Sequence, residues 1–282
     1  MKGKLRQACM LGLLAVSVGS AAGTAPVKVM ALGDSITEGY CIKNASDQST
    51  RNCGTESYTE LRGSDVANCR FKEIKERNLG GYRVPFKARA LQRGWNFQYL
   101  GSRGLGSVGA VAHMGFPGWQ IPFLTRCVQN WIFTQGMPDI ILLQAGTNDA
   151  IKEPYATPAS VAATMRELLS KIAELSAGRR PRILLGELLP IHAYRTAPPF
   201  DEAGQPAKVA ESIRIGYNAL LPSLAAEINS NTNLAVTVVK MSEISPADLS
   251  DGVHPNPVGY AKMADAWITA LTGFAGELSK AD

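Results

Sequence analysis

The sequence predicts an α/β protein in which a parallel β-sheet lies between two layers of helices. Apolar runs of strand length recur along the chain, and stretches with helical spacing of apolar residues lie between them. Most of these runs are rich in Val, Ile and Leu and lack strict alternation, as expected of parallel strands that are covered on both faces. Strands that alternate with helices in this way form a three-layer αβα sandwich with right-handed crossovers.

Five strands and five helices make up the expected sandwich. The strands are predicted at residues 27–32, 97–100, 139–144, 182–189 and 234–239. The helices are predicted at residues 83–93, 121–134, 160–176, 207–229 and 257 to about 271. The last helix has the clearest start, because Asn256 is a favoured N-cap residue and Pro257 a favoured first helical residue.

The length of 282 residues fits one large domain, predicted at residues 25–282, better than two small ones. Two segments interrupt the alternation of strands and helices. The first, at about 40–78, is polar and carries three cysteines, and the second, at 190–206, contains four prolines. Both follow strands at the carboxyl edge of the sheet, so each is either a wall of a substrate cleft or surface decoration.

Residues 1–24 have the features of a secretory signal peptide. Three basic residues precede an apolar stretch at 8–18, and small residues suitable for cleavage follow at 20–25. A membrane-spanning helix needs about 20 apolar residues, so export with cleavage is favoured over a retained anchor, and a secreted or periplasmic location is expected. Loss of three positive charges and no negative ones lowers the formal net charge from +5 to +2, which removes the support for a nucleic-acid partner.

Cysteine usage agrees with export. Cys9 lies in the predicted signal peptide, and four cysteines remain, namely Cys41, Cys53, Cys69 and Cys127. An even number in an oxidising compartment predicts two disulfides, for which three pairings exist. The pairing Cys41–Cys53 with Cys69–Cys127 is preferred, because the first bridge closes a short loop and the second ties the insertion to the body. A zinc site is the alternative, but paired C-x-x-C spacing is absent, and no metal is predicted.

The candidate catalytic residues lie near the two ends of the chain. Ser35 closely follows the first predicted strand, which places it at the carboxyl edge, where open α/β sheets bind ligands. Asp251 and His254 stand three residues apart, so one turn of backbone can present both side chains on the same side. A serine hydroxyl becomes a good nucleophile when a base removes its proton, and a carboxylate fixes the tautomer of an imidazole base. These residues therefore indicate a serine hydrolase.

Members of this set have structural alternatives. Ser35 could cap a short helix that begins at residue 36, a role that is compatible with nucleophilic attack. A lone histidine is more often structural than catalytic, and His113 and His192 compete with His254 for the role of base. The carboxylate three residues before it favours His254.

Acyl transfer also needs donors for the oxyanion that develops in the transition state. Asn148, near the end of the third predicted strand, can donate from its carboxamide, although an Asn there can also cap the next turn. Gly118 can offer a backbone N–H from a turn where no side chain obstructs approach. Asp34, Trp119 and Asp149 adjoin these positions and are candidate substrate contacts, although a tryptophan beside a turn is more often packed.

Together, these segments resemble the four sequence blocks of the GDSL/SGNH hydrolase superfamily. The blocks are Gly33-Asp34-Ser35, the glycine loop at Gly118, Gly146-Thr147-Asn148-Asp149 and Asp251-Gly252-Val253-His254. The resemblance implies a flavodoxin-like sandwich with five parallel strands in the order 2-1-3-4-5. It implies Ser35 as nucleophile, His254 as general base and Asp251 as the residue that orients the base. The implied oxyanion hole consists of the backbone N–H groups of Ser35 and Gly118 and the carboxamide of Asn148.

A narrower resemblance connects the chain with the family-three carbohydrate esterases, which include acetylxylan esterases. It lies in residues 33–39, 80–83, 113–119 and 251–254. It implies short-chain acetyl esters of carbohydrates as substrates, with a serine nucleophile and no cofactor. The insertion at about 40–78 departs from the family pattern and bears on the shape of the cleft.

Two other functions stay open at this point. One is a lipid-directed hydrolase on the same fold, such as a lysophospholipase or a thioesterase. The other is a non-catalytic carbohydrate-binding relative, although such a protein has no use for a nucleophile, a base and oxyanion donors together.

Overall fold

A parallel sheet forms the centre of the computed structural model, which describes residues 25–39, 80–104, 111–192, 207–274 and 276. Its strands are β1 (Lys28–Gly33), β2 (Gln98–Leu100), β3 (Met114–Gly115), β4 (Ile140–Gln144), β5 (Arg182–Gly186) and β6 (Ala235–Val239). Five of them lie in the order β2-β1-β4-β5-β6, and the two-residue β3 pairs with β1. When β3 is left out, this order is 2-1-3-4-5 in chain sequence, so the predicted topology is confirmed.

Strand β1 positions the segments that carry the site. One edge of β1 pairs with β4, while the other edge pairs first with β2 and then, at its end, with β3. Gly33 therefore lies between Gly115 of β3 and Gln144 of β4. A Cβ atom on Gly33 would lie 2.1 Å from the Gln144 carbonyl oxygen, so only glycine fits there. The segments that follow β1, β3 and β4 consequently leave the sheet side by side at its carboxyl edge.

Helices cover both faces of the sheet. They are α1 (Ser35–Glu38), α2 (Arg83–Gln92), α3 (Ile121–Gln135), α4 (Thr147–Lys152), α5 (Pro158–Leu175), α6 (Ala207–Asn231) and α7 (Pro257–Thr272). Alternate residues of β1 point to opposite faces. Val29 and Ala31 belong to the core cluster that contains α2 and α7, whereas Met30 and Leu32 belong to the cluster that contains α3, α5 and α6. The predicted three-layer sandwich is therefore confirmed.

The bounds of the predicted elements agree with the structure to within two residues, with one exception. The strand predicted at 182–189 ends at Gly186, because the backbone then leaves the ladder and Leu188 N donates to Asn218 Oδ1 at 2.9 Å. Leu188 and Leu189 nevertheless stay buried, which explains why the apolar run continues past the strand. Three short elements are absent from the prediction, namely β3, α4 and a 3₁₀ helix at Pro246–Asp248.

Several predictions fall outside the described residues. These are the signal peptide at 1–24, nearly all of the insertion at about 40–78, and most of the segment 190–206. All three stay predictions. Within the described ranges, no helix is long and apolar enough to cross a lipid bilayer.

Of the four cysteines predicted to form disulfides, Cys127 alone lies within the described residues. Cys127 is fully buried in α3. Cys41, Cys53 and Cys69 lie outside the described residues, so the pairing Cys69–Cys127 stays a prediction. In the part of the chain that the structure describes, no group of three or more His, Cys, Asp or Glu side chains is arranged to hold a metal ion.

Candidate active site

The three candidate catalytic side chains form one continuous chain of contacts. The Oγ atom of Ser35 lies 2.8 Å from Nε2 of His254, although 219 positions separate the two residues in the sequence. On the other side of the ring, Nδ1 of His254 lies 2.6 Å from Oδ2 of Asp251. A proton on Nδ1 that is donated to this carboxylate leaves Nε2 as an acceptor for the serine hydroxyl. The arrangement can therefore activate Ser35 as a nucleophile.

A tight turn fixes the relative position of Asp251 and His254. Asp251 Oδ1 accepts hydrogen bonds from the backbone N–H groups of Val253 at 3.0 Å and His254 at 2.7 Å. One carboxylate oxygen thus organises the turn while the other faces the imidazole. The Gly252 carbonyl also accepts from the backbone N–H of His192 at 2.7 Å, which ties the turn to the segment after β5. The base is therefore held by the backbone on two sides.

The carboxyl group of Asp251 has a pKa below its ordinary value. Burial alone raises this pKa, but the charge of His254, together with hydrogen bonds from its ring and from the two turn amides, has the larger combined effect. Asp251 is consequently ionised at neutral pH, where it can hold the imidazole in the required tautomer and stabilise the imidazolium ion.

Helix α1 presents Ser35 at its first position. Asp34 is the N-cap of α1, and its Oδ1 accepts a hydrogen bond from Ile36 N at 2.9 Å. The buried Arg83 guanidinium donates to the carbonyl oxygens of Thr37 at 2.9 Å and Glu38 at 2.7 Å, at the other end of the helix. Both ends of this one-turn helix are thus fixed by side chains. Arg83 belongs to the segment 80–83 that carries the narrower family resemblance, which did not indicate this role.

The two candidate oxyanion donors outside α1 lie on segments that are hydrogen-bonded to each other. Gly118 occupies a turn in which Trp119 N donates to Phe116 O at 3.2 Å. Its φ of +74° is the conformation that a type II turn requires of the residue after proline. Asn148 donates from Nδ2 to the Trp119 carbonyl at 3.0 Å. A carboxamide has two N–H hydrogens, so the second can donate to an oxyanion.

Asp34 and Asp149, two of the candidate substrate contacts, accept hydrogen bonds from backbone amides, and their contact with substrate stays a prediction. Both side chains are buried, with 1% and 5% of their surface exposed. Both carboxylate oxygens of Asp149 accept from the backbone N–H of Ile121, at 3.2 and 3.1 Å, and so hold the start of α3. Burial raises the pKa of Asp34 to about 6 and that of Asp149 to about 7. The sequence identified polar residues near the site but could not show that a backbone amide already donates to each of them. Oδ2 of Asp34 is buried and has no hydrogen-bond partner among the described residues.

The contacts of Trp119, His113 and His192 bear on their alternative roles. Trp119 is buried and stacks on Phe116, with ring centroids 4.6 Å apart, so the packing alternative describes it. His113 is fully buried, and its Nδ1 accepts a hydrogen bond from Gly115 N at 3.0 Å. The histidine that contacts the Ser35 hydroxyl is His254. His192 contributes its backbone N–H to the turn that carries His254.

Lys152 is a feature of the site that sequence analysis missed. Its Nζ donates to the Gly118 carbonyl oxygen at 3.0 Å. The available signal was its spacing, because Lys152 follows Asn148 by four residues and therefore lies on the same face of a helix.

Similarity to known proteins agrees with this geometry. The sequence profile of the GDSL-like lipase/acylhydrolase family matches residues 29–267. The chain belongs to this family. It is therefore an ester hydrolase, and the family recognised from the four sequence blocks is confirmed.

Curated relatives of this GDSL esterase are longer proteins. It is 26% identical over 260 residues to the multidomain esterase of Ruminococcus flavefaciens, which is 90% of this chain but 29% of that protein. It covers 62% of a second relative, from Acetivibrio thermocellus, at 27% identity over 165 residues. The chain thus spans less than two thirds of either relative.

Solved structures similar to the GDSL esterase include carbohydrate esterases. A family 3 carbohydrate esterase from Clostridium thermocellum has a TM-score of 0.61 and 23% identity, covering 90% of this chain and 100% of that one. A family 3 carbohydrate esterase from Talaromyces cellulolyticus has a TM-score of 0.62 and 18% identity, covering 89% and 99%. At these identities the likeness establishes the fold.

Proposed function

We propose that this GDSL esterase removes acetyl groups from carbohydrates through a covalent acyl-enzyme on Ser35. The observation that carries the proposal is the unbroken contact from Ser35 through His254 to Asp251. A hydroxyl, an imidazole and a carboxylate in this order convert serine into a nucleophile at neutral pH. The oxyanion donors on α1, on the turn at Gly118 and on α4 supply the other requirement of acyl transfer.

The reaction follows from the positions of these groups. Ser35 Oγ attacks the ester carbonyl carbon while His254 Nε2 takes the hydroxyl proton. The carbonyl oxygen becomes an oxyanion that accepts from the N–H groups of Ser35 and Gly118 and from the Asn148 carboxamide. His254 then gives its proton to the departing alcohol oxygen, which leaves the acyl group on Ser35. In the second half of the reaction, water attacks the acyl carbonyl carbon while His254 Nε2 takes a proton from it. His254 then returns the proton to Ser35 Oγ as the bond between Oγ and the acyl group breaks, which releases the carboxylic acid.

The substrate class rests on the relatives. The solved structures with similar folds include family 3 carbohydrate esterases from two organisms, and a curated relative is a multidomain esterase. The predicted signal peptide fits an enzyme that meets such esters outside the cytoplasm, so secretion is part of the proposal. A lipid-directed hydrolase on the same fold is the rival function.

Alanine in place of Asn148 will lower kcat for an acetyl ester by roughly 100- to 1000-fold, about 3 to 4 kcal/mol in barrier height, with little change in KM. The reason is that the carboxamide donates more strongly to the oxyanion of the transition state than to the carbonyl of the substrate. Steady-state kinetics with p-nitrophenyl acetate measure both constants. The matched control is Asn130→Ala, at an exposed position on α3. Full turnover with normal KM in Asn148→Ala would remove this residue from the oxyanion hole.

A series of p-nitrophenyl esters from C2 to C16 separates the proposed substrate class from its rival. We expect kcat/KM to be highest for the acetyl ester and at least about tenfold lower for C8, since each mismatched methylene group can change transition-state binding by that order. Acetylated xylan, acetylated monosaccharides, a phospholipid and an acyl-thioester then test the natural leaving group. A maximum at long acyl chains, or preference for the phospholipid, would support the lipid-directed rival instead.

A further inference from the structure

Helix α4 contacts backbone groups of Gly118, Trp119 and Ile121, in and just after the turn at Gly118. Asn148 Nδ2 donates to the Trp119 carbonyl at 3.0 Å, and Lys152 Nζ donates to the Gly118 carbonyl at 3.0 Å. Asp149 accepts from the Ile121 amide just beyond the turn. The two donors lie four residues apart, on one face of the helix, and bond to adjacent carbonyls. The turn is therefore fixed to the helix that carries Asn148.

The hydrogen bond from Lys152 to the Gly118 carbonyl oxygen bears on the conformation of the turn. The turn depends on the left-handed conformation of Gly118, at φ +74°, which sets the direction of the peptide groups on either side. A Cβ atom at Gly118 would lie 3.0 Å from Lys152 Nζ, so the ammonium group is packed directly against the glycine. A charged donor makes a stronger hydrogen bond to a carbonyl than a neutral one does. Lys152 thus restrains the rotation of the peptide group that contains the Gly118 carbonyl.

The same charge acts on the segment that carries the nucleophile. Burial raises the pKa of Asp34, the residue before Ser35, and the positive charges of His254 and Lys152 both oppose that rise. The exposed Lys152 ammonium lies beside Gly118, whose backbone N–H is a candidate oxyanion donor. An oxyanion formed between these two segments carries a full negative charge, whereas the substrate carbonyl carries none.

We propose that Lys152 is a positioning residue for the oxyanion hole, which fixes the Gly118 turn and contributes positive potential to the developing oxyanion. This inference rests on the proposed acyl-transfer function. It identifies Lys152 as a residue that affects kcat rather than KM, because both contributions are larger in the transition state than in the substrate complex.

Replacement of Lys152 by methionine tests the proposal, because methionine keeps the unbranched shape and most of the length of the side chain and removes its charge and donor. We expect kcat for p-nitrophenyl acetate to fall roughly 10- to 30-fold with KM changed by less than about twofold. Lys152→Arg keeps a charged donor and should retain activity within about fivefold of wild type. The matched control is Lys171→Met on α5, which removes the same charge from a lysine that contacts Glu174, and it should leave kcat unchanged.

Hydrogen exchange provides a readout that does not depend on activity. The amide of Trp119 closes the turn, so its exchange in the intact protein should accelerate about tenfold or more in Lys152→Met and stay unchanged in Lys171→Met. Wild-type kcat together with wild-type exchange in Lys152→Met would overturn the inference while leaving the serine mechanism intact. If the wild-type protein turns over no ester, the proposed function fails, and unchanged exchange in Lys152→Met would overturn the role of Lys152 independently.

Discussion

Alanine at position 35 will reduce kcat for p-nitrophenyl acetate by roughly 10⁴- to 10⁶-fold, because the variant lacks the atom that attacks the ester. The substitution should leave the fold intact. Asp34 caps α1 with its own side chain, so the helix keeps its cap when the serine hydroxyl is lost. The Ser35 hydroxyl contacts the imidazole of His254, and that ring stays held by Asp251. Initial rates at matched protein concentration measure the effect.

The control for this variant is Ser223→Ala, which removes an exposed hydroxyl on α6 that bonds only to the carbonyl of Leu220 among the described residues. Its activity and its melting temperature should equal those of wild type. Circular dichroism and thermal melts of Ser35→Ala should likewise match wild type. Residual activity within tenfold of wild type in a folded Ser35→Ala protein would exclude Ser35 as the nucleophile.

Asparagine in place of Asp251 will lower kcat by roughly 10³- to 10⁴-fold at neutral pH, although it is nearly isosteric. In the wild-type protein, Oδ1 accepts from two backbone amides of the turn and Oδ2 accepts from His254 Nδ1. An asparagine that keeps its oxygen on the turn must present its NH₂ group to Nδ1. The imidazole then carries its proton on Nε2, where it faces the Ser35 hydroxyl and cannot accept that proton.

Measurement of kcat across pH 6 to 10 tests this tautomer argument. The matched control is Asp265→Asn, at an exposed carboxylate on α7 that pairs with Arg89, and it should behave as wild type. A loss below about tenfold in Asp251→Asn would show that the carboxylate contributes little and that another group orients His254.

The long elements could be predicted because each carries its own signal. Strand β4 is a continuous apolar run that is buried on both faces, and α7 begins with an asparagine cap followed by proline. The contact between Ser35 and His254 was predictable for a different reason. The alternation of strands and helices places the end of β1 at the carboxyl edge of the sheet, and the motif around Asp251 is compact enough to act as one unit.

The short elements could not be predicted, because their stability comes from their neighbours. Strand β3 has two residues and exists through pairing with the end of β1. Helix α4 has six residues, which is too short for apolar periodicity to be visible, and its side chains bond to the turn at Gly118. The roles of Asp149 and Lys152 have the same origin. Each depends on a backbone atom about 30 residues away that only the folded chain brings near.

Mass spectrometry of the protein after reaction with an organophosphonate ester probe tests most directly whether His254 activates Ser35. We predict one covalent adduct per chain, located on the peptide that contains Ser35 and absent from Ser35→Ala. Labelling should slow by at least about 100-fold in His254→Ala, because the hydroxyl then lacks its base. An adduct on a different residue, or labelling of Ser35 at the same rate without His254, would contradict the account.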